Sequence, residues 1–234
     1  MTTFALVHGA WHRASCWDPT ARLLREAGHD VVAVDLPCEN PAAGLVDGAA
    51  VVLDALRDRS DDDVVLVGHS LGGVTIPLVA AARPVRELVF LCAFVPRPGV
   101  ALRDDLGAEP SWFPDGWPSL AARQVSHDDG SSSWPADAAI DAFYHDCPPD
   151  LAAWAAGQLR RQQWTVANEP CPLAAWPEVS ARAIVCTEDR VLAAEVCAQR
   201  AEEQAGAHVV RLGGGHSPML AQPEALVDVL LSAS

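Results

Sequence analysis

The segment 64–82 constrains the fold of this chain more strongly than any other part of it. Four apolar residues at 64–67 lead directly into Gly-His-Ser-Leu-Gly at 68–72, and a stretch favourable to a helix follows at 74–82. A strand, a sharp turn and a helix in this order hold the hydroxyl of Ser70 at the carboxyl end of the strand. Glycine suits positions 68 and 72, because a side chain there would collide with the neighbouring strand or helix. The pattern predicts a strained elbow that presents Ser70, although a glycine-rich turn without a chemical role is the simpler alternative.

Short apolar runs alternate with helix-like segments before residue 97 and after residue 177. Unbroken runs of Val, Ile and Leu are typical of strands buried on both faces, and strands that alternate with helices form parallel sheets. We therefore predict an α/β fold in which helices cover both faces of a mostly parallel six-stranded sheet. The predicted strands are 4–7, 30–36, 64–67, 88–92, 183–186 and 208–212. The predicted helices around them are 18–28, 44–59, 74–82, 193–206 and 223–231.

Residues 97–177 break this alternation and are rich in Pro, Trp, Ser and Asp. We predict that 1–96 and 178–234 form one core domain and that 97–177 form a small helical cap over the carboxyl ends of the strands. Two cap helices are expected, near 136–145 and 150–162. Most of the tryptophans lie in this segment, where they can wall a substrate cavity or simply pack the cap onto the sheet. The candidate substrate contacts among them are Trp112, Trp134 and Trp164.

The composition limits the partners of the chain. It carries 31 acidic residues and 16 basic residues, all of them arginine, which gives a net charge of −15. Such an acidic surface disfavours nucleic acids and anionic membranes, although it can serve solubility alone. No apolar stretch is long enough to span a bilayer, and the amino terminus lacks the pattern of a secretory signal. The seven cysteines show no zinc-ligand spacing, so we expect reduced thiols in the cytoplasm and no metal.

A serine hydroxyl needs a base within hydrogen-bond reach, and that base needs an orienting acid. In folds with such an elbow the chain order is serine, acid, histidine, and ligands gather at the carboxyl ends of the strands. His216 fits the base, because it follows a strand and three glycines in a loop before the last helix. Asp189 fits the acid, since it follows the strand 183–186, although its neighbour Glu188 could serve instead and either could be a helix cap. Weaker acid candidates in the insertion are Asp128, Asp141 and Asp146.

Acyl transfer also requires donors for the oxyanion that develops on the substrate. The backbone N–H of Leu71 lies at the positive end of the predicted elbow helix and is one candidate. The second candidate is the N–H of Ala10, in the loop that follows the first strand. Both residues would act through the backbone, so their side chains are expected to matter little.

With these motifs in order, the chain resembles the α/β-hydrolase superfamily. The resemblance is closest to the branch of plant methylesterases, hydroxynitrile lyases and small bacterial esterases. It rests on residues 6–12, Cys16-Trp17 and the segments 68–73, 186–189 and 214–218. It implies that Ser70 is the nucleophile, His216 the base and Asp189 the acid, with an oxyanion hole at Ala10 and Leu71. It also implies that His12 and Trp17 brace the loop of the hole and that Trp11 lies near the pocket mouth, so Trp11 and His12 join the candidate substrate contacts.

The expected function is hydrolysis of a small apolar or aromatic ester by a serine esterase that needs no metal or organic cofactor. A hydroxynitrile-lyase-like activity is the first alternative. The resemblance disfavours it, because such lyases carry a lysine where Ser217 stands here and a threonine where Gly9 stands. A second alternative is a small-molecule receptor built on a hydrolase fold, since fold and triad do not by themselves determine function. The oligomeric state leaves no mark in the sequence.

Overall fold

A six-stranded parallel sheet forms the centre of the molecule in the computed structural model, which describes residues 1–59, 63–108 and 110–232. Its strands are β1 (Thr3–Val7), β2 (Asp30–Val34), β3 (Val64–His69), β4 (Glu87–Leu91), β7 (Ser180–Cys186) and β8 (His208–Leu212). They lie in the order β2-β1-β3-β4-β7-β8, and every neighbouring pair is parallel. The predicted α/β class and parallel six-stranded sheet are confirmed.

The central strands are buried along their whole length, as their unbroken apolar runs predict. Every residue of β3 and β4 is buried, whereas β8 at one edge has no buried residue. Strands covered by helices on both faces require apolar side chains in both directions, and an edge strand does not. The strand order places β1 and β3 side by side at the point where the chain reverses direction across the sheet, the usual place for a ligand in open α/β sheets.

Helices flank the sheet in the segments before residue 97 and after residue 177. They are α1 (Asp18–Glu26), α2 (Leu45–Ala55), α3 (Ile76–Ala82), α9 (Ala194–Ala205), α10 (Pro218–Ala221) and α11 (Pro223–Leu231). α1 packs against α11, and α2 packs against α3. Among the described residues, no helix combines the length and the apolar character that crossing a bilayer would need.

The segment 97–177 contains five short α-helices, one 3₁₀ turn (Pro110–Trp112) and one small hairpin among its described residues. The helices are α4 (Leu102–Ala108), α5 (Trp117–Ala121), α6 (Ala136–Phe143), α7 (Pro149–Gly157) and α8 (Thr165–Asn168). The hairpin pairs β5 (Val125–Ser126) with β6 (Ser132–Ser133). α7 ends five residues before the predicted boundary, because Gln162 instead forms a β-bridge with Ser132.

Several other element boundaries differ from the prediction by a few residues, and two of these differences follow the carboxyl ends of strands. The elbow continues as a 3₁₀ turn over Ser70–Val74 before α3 begins, whereas the sequence suggested an α-helix from residue 74. β2 ends at Val34 rather than Leu36, because the Leu36 N–H donates a hydrogen bond to His8 Nε2 and so leaves the strand ladder. Both differences arise from contacts around the ends of the central strands.

A buried ion pair joins β4 to β7. Arg182 Nη2 lies 2.9 Å from Glu87 Oε2, and the two side chains are 2% and 4% exposed. Arg182 also donates to the carbonyl of Val229 in α11, at 2.5 Å. The guanidinium therefore connects two strands with the closing helix.

Replacing Arg182 with methionine is expected to lower the free energy of unfolding by about 3–5 kcal/mol, because it leaves the Glu87 carboxylate buried without its cation. The double variant Glu87→Leu/Arg182→Met should recover most of that loss, since no unpaired charge then stays buried. Urea denaturation of the wild type and the two variants measures both effects. A loss below about 1 kcal/mol in the Arg182 variant, the ordinary range for a surface pair, would contradict this interpretation.

Candidate active site

Ser70 follows β3 directly and is the first residue of the 3₁₀ turn that precedes α3. Its φ of 52° is in the left-handed region that non-glycine residues rarely adopt. The turn leaves no room for side chains at the flanking glycines. A Cβ on Gly68 would lie 2.8 Å from the Gly72 carbonyl oxygen, and a Cβ on Gly72 would lie 2.7 Å from the His8 carbonyl oxygen. The close packing of these backbones holds Ser70 at the carboxyl edge of the sheet.

His216 and Asp189 form a buried hydrogen-bonded pair at the same edge. His216 Nδ1 lies 2.8 Å from Asp189 Oδ2, and the side chains are 1% and 2% exposed. The other carboxylate oxygen, Oδ1, accepts hydrogen bonds from the N–H groups of Val191 and Leu192. Because a carboxylate accepts and does not donate, the imidazole carries its proton on Nδ1 and has a free lone pair on Nε2. This is the arrangement that a general base requires.

The structure distinguishes the acidic candidates by their contacts. Asp146 accepts a hydrogen bond from the Gly215 N–H at 2.6 Å, so it supports the loop before His216 rather than the imidazole. Within the described residues, Asp189 is the one candidate of the five whose carboxylate is hydrogen-bonded to the His216 ring. The remaining candidates are exposed at the surface: Asp128, Asp141 and Glu188.

The loop after β1 is held by side chains that bond its carbonyl groups. His12 Nδ1 donates to the Ala10 carbonyl at 2.7 Å, and the Tyr144 hydroxyl donates to His12 Nε2 at 2.9 Å. Trp11 has a φ of 63°, and its N–H donates to Gln162 Oε1 at 3.2 Å. Among the described residues, none accepts a hydrogen bond from the Ala10 N–H. The loop thus presents the Ala10 N–H as a backbone donor without a partner. Its position is fixed, because the Ala10 carbonyl is bound by His12.

Arg160 ties this loop to the segment 97–177. Its guanidinium is mostly buried and donates two hydrogen bonds to the His12 carbonyl, and a further one to His8 Nε2. The Arg160 N–H donates to the Trp11 carbonyl at 2.7 Å. Arg160, Tyr144 and Gln162 are not among the site residues predicted from the sequence. No local pattern marks them, because each acts on a loop about 130 to 150 positions away in the chain.

Burial keeps three histidines around the site neutral. Desolvation lowers the pKa of His8 to about 4 and that of His12 to about 3. Burial, followed by the nearby His216, lowers the pKa of His69 well below its ordinary value. His69 Nε2 donates to the His216 carbonyl at 2.8 Å. These imidazoles therefore act as fixed hydrogen-bonding groups that position the backbone near Ser70 and His216.

The free energy of unfolding is expected to fall as the pH drops from 7 to 5.5. An unfolded histidine binds its proton near pH 6.5, whereas His8, His12 and His69 stay neutral in the folded protein in this window. The unfolded state then binds more protons, so stability is lost as the pH falls through 6.5 and levels off below the folded pKa values. Each histidine contributes about 1 kcal/mol of loss by pH 5.5.

Urea denaturation at several pH values measures this dependence, and His12→Gln is the matched variant. The difference in unfolding free energy between pH 7 and pH 5.5 should be about 1 kcal/mol smaller in this variant than in the wild type, whatever the absolute stability of the variant. An unchanged difference in the variant would show that His12 titrates normally in the folded protein.

A cavity of about 220 Å³ opens above Ser70. Ser70, Ala10 and Leu71 share its lining, so the candidate nucleophile and both candidate oxyanion donors face one space. Its walls are predominantly apolar and aromatic, as is typical of small-molecule sites. The larger apolar and aromatic residues in the walls include Trp11, Phe94, Leu102, Leu106, Phe113, Trp117 and Trp164.

The predicted aromatic contacts divide into lining and supporting residues. Trp11 and Trp164 line the cavity, and their rings meet edge to face at 5.3 Å. Trp134 is mostly buried behind the lining, edge to face with Trp11. Trp112 is completely buried, with its ring 5.3 Å from that of Phe94. His12 also lies outside the lining. Its two ring nitrogens are hydrogen-bonded to the Ala10 carbonyl and the Tyr144 hydroxyl.

Phe113 and Trp117 take the places that Trp112 and Trp134 were expected to occupy in the cavity wall. Their rings stack at 5.5 Å with an interplanar angle of 10°. Neighbouring positions in an irregular segment such as 110–117 point in different directions, and sequence alone does not show which direction faces the cavity. Trp112 and Trp134, predicted as substrate contacts, lie outside the lining and instead support the wall from behind.

The chain belongs to the Alpha/beta hydrolase family, whose family model matches residues 4–229. It is 44% identical to a carbendazim-hydrolyzing esterase of Nocardioides sp. over 44% of this chain and 46% of that protein. It is 36% identical to methylesterase 7 of Arabidopsis thaliana over 40% of each chain. These two alignments span less than half of either relative. The predicted resemblance to the esterase branch of α/β-hydrolases is confirmed.

A solved structure extends the similarity to the whole chain. The pyrethroid hydrolase from Sphingobium faniae superposes with a TM-score of 0.83 at 26% identity, covering 98% of this chain and 95% of that one. The segment 97–177 is included in this coverage. The fold is therefore shared across nearly the full length of both proteins.

Proposed function

We propose that this protein is a serine carboxylesterase that hydrolyses a small ester with an apolar or aromatic body. Ser70, His216 and Asp189 form the triad, and the N–H groups of Ala10 and Leu71 form the oxyanion hole. The observation that carries the proposal is the buried 2.8 Å hydrogen bond between His216 and Asp189, at the same edge of the sheet as a serine on a strained turn. The relatives named as esterases and hydrolases support the same reaction class.

The reaction begins when Ser70 Oγ attacks the ester carbonyl carbon while His216 Nε2 takes the hydroxyl proton. The carbonyl oxygen becomes an oxyanion that accepts hydrogen bonds from the Ala10 and Leu71 N–H groups. When this intermediate collapses, the carbon–oxygen bond to the alcohol breaks and His216 gives its proton to the departing alkoxide. An acyl-enzyme on Ser70 is left.

A second half-reaction restores the enzyme. His216 takes a proton from a water molecule, which attacks the acyl carbonyl carbon, and the same two N–H groups hold the second oxyanion. Collapse breaks the bond to Ser70 Oγ, which recovers its proton from His216, and the carboxylic acid leaves. Asp189 stays ionised throughout and stabilises the imidazolium that forms twice in each cycle.

Position 217 favours hydrolysis over the lyase alternative. Ser217 is fully buried and neutral, next to His216. In the lyases that the chain resembles, a lysine at this position stabilises departing cyanide. A buried serine hydroxyl supplies no such charge, so the site favours a leaving alcohol that His216 can protonate.

The cysteines support a cytoplasmic setting. All seven are free thiols, and six of them are buried. Burial raises the pKa of Cys16, Cys197 and Cys147, so these thiols are poor nucleophiles and behave as small apolar groups. Free thiols in this number are typical of a reducing compartment.

The test is pre-steady-state hydrolysis of p-nitrophenyl acetate, butyrate and benzoate. An acyl-enzyme predicts a burst of one p-nitrophenol per active site, followed by repeated turnover, for substrates whose deacylation is slow. Mass spectrometry of the quenched protein should find the acyl group on the peptide that contains Ser70. A burst without turnover would favour the receptor alternative, and an acyl group on another residue would refute the proposed nucleophile.

A further inference from the structure

The basic residues of this chain are almost all engaged in hydrogen bonds or ion pairs. Of the 16 arginines, 15 have a partner in the structure. Arg103 is the exception, since among the described residues no carboxylate, carbonyl or hydroxyl binds its guanidinium. In a protein with 31 acidic residues, an arginine without a partner is conspicuous.

Arg103 lines the cavity that contains Ser70. Among the described lining residues it is the single ionisable one, and the others are predominantly apolar or aromatic. Gln124 also lines the cavity, and its side-chain amide has no hydrogen-bond partner among the described residues. Two residues with unused hydrogen-bond donors therefore belong to the cavity lining, and Arg103 is also exposed to solvent.

The acidic residues next to Arg103 in the described part of α4 do not neutralise it. Asp105, two positions along α4, is mostly buried and forms an ion pair with Arg97 at 2.8 Å. Asp104 is exposed, and it does not belong to the cavity lining. The guanidinium thus remains available to an anion that enters the cavity.

We propose that the substrate carries a carboxylate at the end remote from the scissile ester and that Arg103 binds it. A guanidinium presents a planar fork of N–H donors that matches the two oxygens of a carboxylate. The apolar walls would then hold the body of the substrate between Arg103 and Ser70. The ester group of the substrate rests on the proposed esterase function. The carboxylate group rests on the lining of the cavity alone.

Because the net charge of the protein is −15, Arg103 can favour an anionic substrate only at short range. The overall field of the protein repels an anionic substrate at a distance, so diffusion is not accelerated. Discrimination between charged and neutral esters must then come from the contact with Arg103 itself. Removing this contact should alter the preference between substrates rather than the chemistry at Ser70.

The kinetic experiment compares the mono-p-nitrophenyl ester of adipic acid with p-nitrophenyl heptanoate, which has a similar length and no charge. Arg103→Met should lower the ratio of their kcat/KM values, adipate over heptanoate, by about tenfold. Arg103→Lys should retain part of the preference, because it keeps the charge without the fork. Arg123→Met is the matched control, since it removes an exposed cap arginine that binds Asp137 and Asp141 outside the cavity, and the ratio should stay within about twofold of wild type.

A binding experiment separates this inference from the proposed function. The monoanilide of adipic acid and heptananilide are amide analogues that resist hydrolysis, and quenching of tryptophan fluorescence reports their binding beside Trp117 and Trp164. Arg103→Met should weaken the monoanilide about tenfold relative to heptananilide. That result without turnover of either ester would sustain the carboxylate site and refute the esterase. Turnover of both esters with an unchanged ratio and unchanged relative binding in the variant would overturn the carboxylate site and leave the esterase standing.

Discussion

Replacing Ser70 with alanine is expected to lower kcat for p-nitrophenyl esters by about 10⁴- to 10⁶-fold, the range seen when the nucleophile of a serine hydrolase is removed. The reason is that Ser70 is the one residue with a nucleophilic side chain among the described residues that line the cavity. His216, Asp189 and the two backbone donors remain in place, so a small residual rate above the uncatalysed reaction should persist. Steady-state release of p-nitrophenol by both proteins measures the effect.

The control for this variant is Ser133→Ala, which removes a serine hydroxyl from β6. That hydroxyl lies 2.8 Å from His127 Nε2 and is not part of the cavity lining. The Ser133→Ala variant should hydrolyse the same esters at close to the wild-type rate. Equal rates for Ser70→Ala and the wild type, with intact folding in both, would show that Ser70 is not the nucleophile toward esters.

Replacing Asp189 with asparagine is expected to lower kcat by about 10⁴-fold while leaving the fold intact. The asparagine amide nitrogen would face His216 Nδ1, so the imidazole would adopt the opposite tautomer and present a proton to Ser70 instead of a lone pair. The asparagine oxygen can still accept from the N–H groups of Val191 and Leu192, as Asp189 Oδ1 does. The local turn should therefore survive.

The matched control is Asp146→Asn. Asp146 holds the Gly215 N–H but does not contact the imidazole, and an asparagine oxygen can keep that hydrogen bond. Its kcat should fall by less than about tenfold, since one hydrogen bond is weakened and none is lost. Thermal unfolding of both variants excludes misfolding as the cause. A larger loss of kcat in Asp146→Asn than in Asp189→Asn would transfer the role of the acid to Asp146.

The sequence by itself determined the class of fold and the edge of the sheet at which the site lies. Parallel strands buried on both faces require continuous apolar runs, and these runs are visible in β1, β3, β4 and β7. The elbow could also be predicted from the sequence, because only glycine fits where the backbones of β1 and the turn after Ser70 approach each other. His216 and Asp189 each follow a strand, so their shared edge follows from the parallel arrangement.

Only the tertiary structure decided which acid reaches His216 and which aromatic residues face the cavity. Asp189 and Glu188 are adjacent, and the choice between them depends on the direction of each side chain after β7. Trp112 and Phe113 differ in the same way, with one in the core and the other in the wall. Tyr144 and Arg160 bind the loop of Ala10 from more than 130 residues away, and no local pattern encodes a contact that forms only when the chain packs.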